Sequence, residues 1–291
     1  MSVALYKPKN LPDALEFLDK NAPDVMPIAG GTDLMVWLRD GVVKPKYLLD
    51  LAPLKRELSY VKREGGLVRI GATTTVWELS KTFLHQDVRY AGFVDLWKKF
   101  ATLALRFEAT IGGNIMTATQ YNDYITLLHV FDANVKLASV NGTREVAIRD
   151  FVLDRRKTAL RPNELLVEIS FKEPNGGSSS FFKFDRREIL IAGIVTSAAY
   201  LRVVDGKIDD VRVSFDMVKG KRVPARATEV ESFLRGKQFS EDVVSAAAEE
   251  VLTKEMERLS DWWTTAEYRL EMSKVALKRN LARAYSRVMS G

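Results

Sequence analysis

Two pairs of adjacent glycines, Gly30-Gly31 and Gly112-Gly113, constrain this chain more than any other feature. The first pair lies in Pro27-Ile28-Ala29-Gly30-Gly31-Thr32-Asp33-Leu34, the second in Thr110-Ile111-Gly112-Gly113-Asn114. Each follows an apolar residue. A glycine, having no Cβ, lets its backbone approach a ligand oxygen closely and accepts positive φ. Successive N–H groups in such a turn make an anion-binding concavity. Two such turns in one chain predict a ligand with two phosphates held from two sides. A pair of ordinary tight turns is the alternative.

The elements around the first pair support the ligand reading. Leu11-Pro12-Asp13-Ala14-Leu15-Glu16-Phe17-Leu18 has apolar residues at helical spacing, and Val25-Met26-Pro27-Ile28-Ala29 reads as a strand entering Gly30-Gly31. Thr32 or Asp33 then caps a helix through Leu34, Met35, Trp37 and Leu38 that stops at Gly41. This strand–glycine–helix order points free N–H groups and the positive end of the helix dipole at the turn. Tyr47 to Leu51 reads as the next strand, giving a βαβ arrangement.

A second unit opens with the strand Leu67 to Ala72, followed by helices predicted over Trp77 to Leu84, Leu96 to Leu105 and Asp123 to Phe131. Asn141-Gly142 marks a hairpin between Asn134–Ala138 and Arg144–Ile148, and Leu165 to Phe171 is the last strand before a break. The break, Glu173-Pro174-Asn175-Gly176-Gly177-Ser178-Ser179-Ser180, is flexible by composition. It divides the chain into 1–173, with subdomains of about 1–53 and 54–173, and 178–291. Beyond it, Ile191–Val204 and Ile208–Val218 flank the turn Asp205-Gly206, and helices dominate from Ala225. The order predicts an α+β protein of several subdomains.

Composition removes several classes of function. There is no cysteine among the 291 residues, so neither a disulfide nor thiolate ligation of zinc or iron–sulfur is available. The two histidines, His85 and His129, do not suffice for a histidine-rich metal site. No apolar stretch approaches a membrane span, and the start Met1 to Pro8 lacks a signal-peptide core, which makes a cytoplasmic location the expectation. The net charge of +6 raises nucleic-acid binding, but the 44 basic residues are interspersed with 38 acidic ones. The densest basic run, Lys278 to Arg287, sits on an amphipathic helix, so no nucleic-acid partner is expected. No Ser-His-Asp arrangement appears, and no lysine follows the glycines as in a P-loop, so no catalytic nucleophile is assigned.

Ala29 to Leu34, then Gly71-Ala72-Thr73-Thr74-Thr75, then Ala109 to Asn114, resemble the FAD-binding medium subunit of the molybdenum hydroxylases. That family includes flavoprotein subunits of carbon monoxide dehydrogenase and the flavin domain of xanthine dehydrogenase. Pro224-Ala225-Arg226-Ala227, Glu231, Leu234, Gly236 and Glu267-Tyr268-Arg269 extend the resemblance to the C-terminal part. The resemblance implies the two-subdomain FAD-binding fold of the vanillyl-alcohol oxidase type, followed by a β-hairpin and helical domain of the carbon monoxide dehydrogenase flavoprotein type. It also implies non-covalent FAD. The molybdenum cofactor and two [2Fe–2S] clusters would sit on a large and a small partner subunit, in a dimer of heterotrimers. This chain would take electrons singly, store two on FAD and pass them to an external acceptor.

The cofactor-binding residues implied are Ile28, Ala29, Gly30, Gly31, Thr32, Asp33, Leu34, Thr110, Ile111, Gly112, Gly113 and Asn114 at the diphosphate, with Asp123 on the sugar-like chain. Thr119-Gln120 replaces the family's frequent Ser-Pro before that aspartate. Asp123 also reads as a helix N-cap. Phe100 is a flavin contact or a core aromatic, Leu165 a pocket or core residue, and Lys183 a cation beside the flavin or a solvated surface lysine. A covalent flavin link through His85 or His129 is disfavoured. Arg226 and Tyr268-Arg269 read as structural ties, and Trp262-Trp263 as core or as a partner anchor. The alternatives are a stand-alone FAD oxidoreductase of the same fold, or a non-flavin phosphate-binding scaffold.

Overall fold

A computed structural model describes residues 3–187 and 192–290. The strands, in chain order, are β1 (Ala4–Tyr6), β2 (Val25–Ile28), β3 (Tyr47–Asp50), β4 (Val61–Glu64), β5 (Leu67–Gly71), β6 (Asn134–Ser139) and β7 (Gly142–Ala147). They continue as β8 (Val152–Asp154), β9 (Lys157–Thr158), β10 (Leu165–Lys172), β11 (Ser178–Phe184), β12 (Val195–Val204), β13 (Lys207–Phe215) and β14 (Ala225–Arg226). Ile191, the expected start of the strand that precedes Asp205-Gly206, lies outside the described residues.

The first unit is a parallel sheet of order β1-β3-β2. The helix Leu11–Asn21 crosses between β1 and β2, its first turn closed by the Asn10 side chain accepting from the Asp13 amide. Ala14, Leu15 and Leu18 on one face of that helix pack with Leu49, Leu51, Leu54 and Leu58. Such a sheet binds ligands at the carboxyl ends of its strands, and β2 ends where Gly30-Gly31 begins.

The second unit is an antiparallel sheet of order β4-β5-β10-β6-β7. β10 serves two cores. Leu165 and Val167 face the first unit, whereas Leu166, Ile169 and Phe171 face the second unit's own core. The change of face follows from an irregularity in register between Leu166 and Glu168, where an extra residue shifts the pleat by one.

A third, antiparallel sheet of order β11-β12-β13-β14 is backed by the helix Ala266–Ser290, which buries Ala276, Leu277, Leu281 and Ala284 against it. Arg269 and Arg226 act as structural ties, in accord with the sequence reading. Arg269 is buried and donates to the carbonyl of Ile194 and, at 2.8 Å, to Asp261. Arg226 grips Glu231 with two bonds, of 2.8 and 2.5 Å, and reaches Asp132 of the second unit.

Three local expectations fail. The helix expected over Leu96–Leu105 is two helices, Ala91–Lys99 and Leu103–Glu108. Ala101 takes φ +38 between them, and Thr102 starts the second by accepting from the Leu105 amide. The helix expected over Trp77–Leu84 is a turn at Val76–Leu79, fixed by a capping box between Thr75 and Glu78, and a separate 3-10 turn at Phe83–His85. The expected flexible break runs straight into β11. Ser178, Ser179 and Ser180 are all fully buried, with Ser178 and Ser179 bonded to the carbonyls of Val88 and Arg89 at 2.8 Å each.

Candidate cofactor cleft

A long cleft separates the first unit from the second. It has two adjoining lobes, of about 210 and 430 Å³, that share Thr32, Asp33, Trp37, Phe100, Ala109, Asn114 and Thr117. The inner lobe is lined by Ile28 to Leu34, Ala72, Thr73, Thr110, Gly112, Gly113 and Leu165. The outer lobe holds Tyr121, Asp123, Arg155, Arg156 and Lys183. An elongated ligand with a polar middle fits such a shape; a compact metabolite leaves one lobe empty.

The two glycine motifs do different jobs. Around the first, the amides of Gly30, Gly31 and Thr32 donate to no other described group, so they remain free for an anion. Gly30 is required for a second reason: a Cβ there would lie 1.8 Å from the carbonyl oxygen of Glu108, where the two walls of the cleft meet. Gly31 has φ +68. Asp33 sits at the N-cap position of Leu34–Arg39 without a side-chain capping bond, contrary to the sequence reading that Thr32 or Asp33 caps this helix. Burial pushes the carboxyl of Asp33 up, with the Arg156 guanidinium opposing.

The second motif is not a loop. Thr110 is the N-cap of the helix Ile111–Thr117, and its hydroxyl accepts from the Gly113 amide at 3.0 Å. The amides of Ile111, Gly112 and Asn114 donate to the carbonyls of Thr74, Ala72 and Thr110. The expectation that these N–H groups cradle phosphate is therefore corrected, because all four already have partners. Gly112 lets the helix press on Ala72, whose carbonyl oxygen would be 2.6 Å from an added Cβ. At Gly113 an added Cβ meets only the Thr110 hydroxyl, at 3.0 Å, so this glycine leaves the cleft wall bare.

Lys183 is not a solvated surface lysine. It is 8% exposed, and its Nζ donates to Asp123 Oδ2 at 2.9 Å. Asp123 is the first residue of the helix Asp123–His129, with Asn122 at the N-cap, so the capping role considered for Asp123 does not apply. Burial pushes its carboxyl up while Lys183 draws it down. Asp185, two residues beyond Lys183, is raised by burial to about 6. Phe100 is buried, reaches both lobes and packs on Tyr124 with ring centroids 5.5 Å apart. Leu165 is at once a core residue and part of the lining.

Orphaned polar atoms along the cleft fit a dinucleotide such as FAD. Thr73 Oγ1, Asn114 Oδ1 and Asp123 Oδ1 are buried, line the cleft and have no hydrogen-bond partner among the described residues. A buried unpaired polar atom costs about 1–3 kcal/mol, so three along one cleft point to a polar ligand that pairs them. The residues fit. Neither His85 nor His129 lines either lobe. Sequence reasoning did not single out Thr73, Trp37, Arg155 or Arg156. Thr73 stood within the quoted Gly71–Thr75 run, whereas Arg156 reaches the outer lobe through a left-handed backbone, φ +58, for which the sequence carries no glycine signal.

Among the described residues no helix is long and apolar enough to cross a membrane, and no cluster of metal-ligating side chains exists.

Residues 1–172 match the model of the FAD binding domain in molybdopterin dehydrogenase, and residues 179–284 that of the CO dehydrogenase flavoprotein C-terminal domain. The chain is similar to the carbon monoxide dehydrogenase medium chain of Afipia carboxidovorans, 30% identical with 97% of this chain and 96% of that one covered. It is likewise 30% identical to the nicotinate dehydrogenase FAD-subunit of Eubacterium barkeri, over 70% of each chain. Among solved structures it superposes on a chain of the Cu,Mo-CO dehydrogenase with a TM-score of 0.91, at 29% identity and 99% coverage of both. Quinoline 2-oxidoreductase from Pseudomonas putida 86 gives 0.88, at 26% identity and the same coverage. The two-part FAD-binding fold with its added C-terminal domain is thus the fold of this molecule, and the chain belongs to the family of FAD-binding medium subunits of the molybdenum hydroxylases, an oxidoreductase component.

Proposed function

We propose that this chain holds FAD non-covalently in the two-lobed cleft and relays electrons within a molybdenum hydroxylase complex. In this reading a small partner subunit delivers electrons from [2Fe–2S] clusters, and a large partner carries the molybdenum cofactor where substrate reacts. An external acceptor collects the electrons. Residues 1–173 form the flavin-binding part and 178–291 the C-terminal part. The complex is a dimer of such heterotrimers in the cytoplasm.

The observation that carries this reading is the division of labour along the cleft. Free amides at Gly30, Gly31 and Thr32 suit a diphosphate in the inner lobe. The unpaired Asp123 Oδ1 in the outer lobe suits a hydroxylated chain. Asn114 and Thr73 add polar atoms to the wall, while Ile28, Ala29, Leu34 and Leu165 keep water out; Ile111, expected in the site from the sequence, instead packs in the second unit's core. Thr110 and Gly112 set the helix that forms the floor. Phe100 and Lys183 stand where the ring system would lie, and the ammonium of Lys183 favours negative charge there. When bound, FAD supplies a centre that accepts single electrons and holds two. With no cysteine in the chain, the electrons must enter from a partner.

The test uses the purified chain alone. It should carry about one FAD, and dithionite should bleach it. An aldehyde, a purine or carbon monoxide should leave the flavin oxidised until the iron–sulfur and molybdenum subunits are added. Flavin reduction by any of these substrates without partners would favour a stand-alone enzyme, and a chain that never binds FAD would favour a scaffold.

A further inference from the structure

Behind the Lys183–Asp123 pair lies a third carboxyl that the cofactor reading leaves without a task. Asp185 follows directly on β11, two residues after Lys183, and its side chain is only 4% exposed. Its Oδ1 is buried and has no partner among the described residues. Its Oδ2 lies 3.9 Å from the ammonium of Lys99, too far for a hydrogen bond. Lys99 closes the helix Ala91–Lys99 and keeps 42% of its side chain in solvent. Four ionisable groups thus connect the surface to the outer lobe: Lys99, Asp185, Lys183 and Asp123.

The charges in this cluster do not balance at Asp185. Lys183 already bonds Asp123 at 2.9 Å, so these two cancel. Only Lys99 is left for Asp185, at a distance and half in water. Burial raises the carboxyl of Asp185 to about 6, against the pull of Lys183 and then Lys99, with Asp123 adding to the rise. The next residues, Arg186 and Arg187, are exposed, and Arg186 turns to the rings of Trp262 and Trp263. Asp185 does not line the lobe, so it acts there through charge and not through contact. New negative charge in the lobe favours its protonated form.

We infer that Asp185 is a charge-compensating proton acceptor: its carboxylate binds a proton from water when electrons enter the ligand of the cleft, and releases it when they leave. The inference rests on the flavin reading. Two electrons from the iron–sulfur partner bring two negative charges. One proton from water offsets the first on the ring system. A second, also from water, forms an O–H bond on Asp185 and offsets the other, while Lys183 and Asp123 stay ionised. No bond within the chain breaks. When the external acceptor removes the electrons, both protons return to water. The carboxyl itself stays in place, and only its proton comes and goes.

The test measures the flavin midpoint potential of the FAD-loaded full chain against pH, by dye-mediated redox titration followed in flavin absorbance. From about pH 6 upward, the wild type should bind up to one more proton per two electrons than Asp185→Asn. That is a further tenfold fall in the equilibrium constant of reduction per pH unit, or about 30 mV. Asp185→Glu should restore the steeper slope. Equal slopes in wild type and Asp185→Asn, with FAD bound in both, overturn the inference and leave the flavin reading standing. Loss of FAD from Asp185→Asn would make the residue part of cofactor binding and also overturn it. If Asp185→Asn does not fold, Lys99→Met decides. It keeps the carboxyl and removes its nearest cation, so the steep range should move to higher pH, and an unmoved range overturns the inference. A colourless wild-type chain overturns the flavin reading and the inference together.

Discussion

Lys183 on β11 places its ammonium 2.9 Å from the carboxylate of Asp123, with both side chains buried and one carboxylate oxygen at the cleft without a partner among the described residues. Removing one member strands the other charge in the interior, which costs about 3–5 kcal/mol. Asp123→Ala and Lys183→Met should each destabilise the chain on that scale in urea unfolding. The double variant Asp123→Leu/Lys183→Met should recover much of the loss. Two single losses that simply add would show that the pair is not coupled.

Asp123→Asn keeps the shape and much of the packing. If the carboxylate also bonds the cofactor, FAD affinity of the folded protein should fall about 10- to 150-fold, the equivalent of roughly 1.5–3 kcal/mol for a charge-assisted bond. Unchanged FAD affinity would leave Asp123 with a purely structural role.

Gly30 and Gly113 should fail in different ways. Gly30→Ala drives a methyl into the Glu108 backbone, so both stability and FAD binding should fall. Gly113→Val projects mainly into the bare cleft wall and crowds only the Thr110 hydroxyl, so FAD should be lost while the unfolding midpoint falls much less than for Gly30→Ala. Stoichiometric FAD in Gly113→Val would remove this helix from the cofactor site.

Thr73→Val offers the opposite pattern. Its hydroxyl oxygen is buried without a partner among the described residues, so the substitution should stabilise the FAD-free chain, by about 1 kcal/mol. The same change should weaken FAD if the cofactor supplies the missing partner. Thermal melts with and without FAD measure both effects.

His129 gives a pH signature. Its Nδ1–H donates to the Ile125 carbonyl, and burial lowers its pKa to about 4 from 6.5. The folded state resists protonation, so its contribution is complete above pH 6.5 and is lost as pH falls towards 4. The loss should reach about 3 kcal/mol. His129→Gln should flatten this part of the stability profile; an unchanged slope would assign it to other groups.

The first glycine turn was legible because strand, glycines and helix lie together in the sequence, and local order fixes local geometry. The Lys183–Asp123 pair was not legible as a pair, because its members are 60 residues apart and a lysine between aromatics reads equally well as surface. The second glycine motif read as a loop because Gly-Gly disfavours helix. Thr110 and the carbonyls of Thr74 and Ala72 outweigh that preference by taking up the first-turn amides. The single helix over Leu96–Leu105 followed a continuous pattern that nothing in the sequence interrupts. The break depends on Ala101 adopting φ +38 and on Arg106 donating to the carbonyls of Phe100 and Ala101.

The buried serines have a consequence for control. A Ser/Gly tract between two globular parts ordinarily allows swinging, and a swinging part can gate electron flow by changing distance. Here Ser178 and Ser179 are riveted to the carbonyls of Val88 and Arg89, and Arg287 clasps Asp95 across the same seam at 2.8 Å. Lys183 rides on that strand and inherits its fixity. The electrostatic setting of the cleft is thus frozen into the architecture; in the electron relay proposed above, a throttle would act from outside the chain, through which partners dock and when.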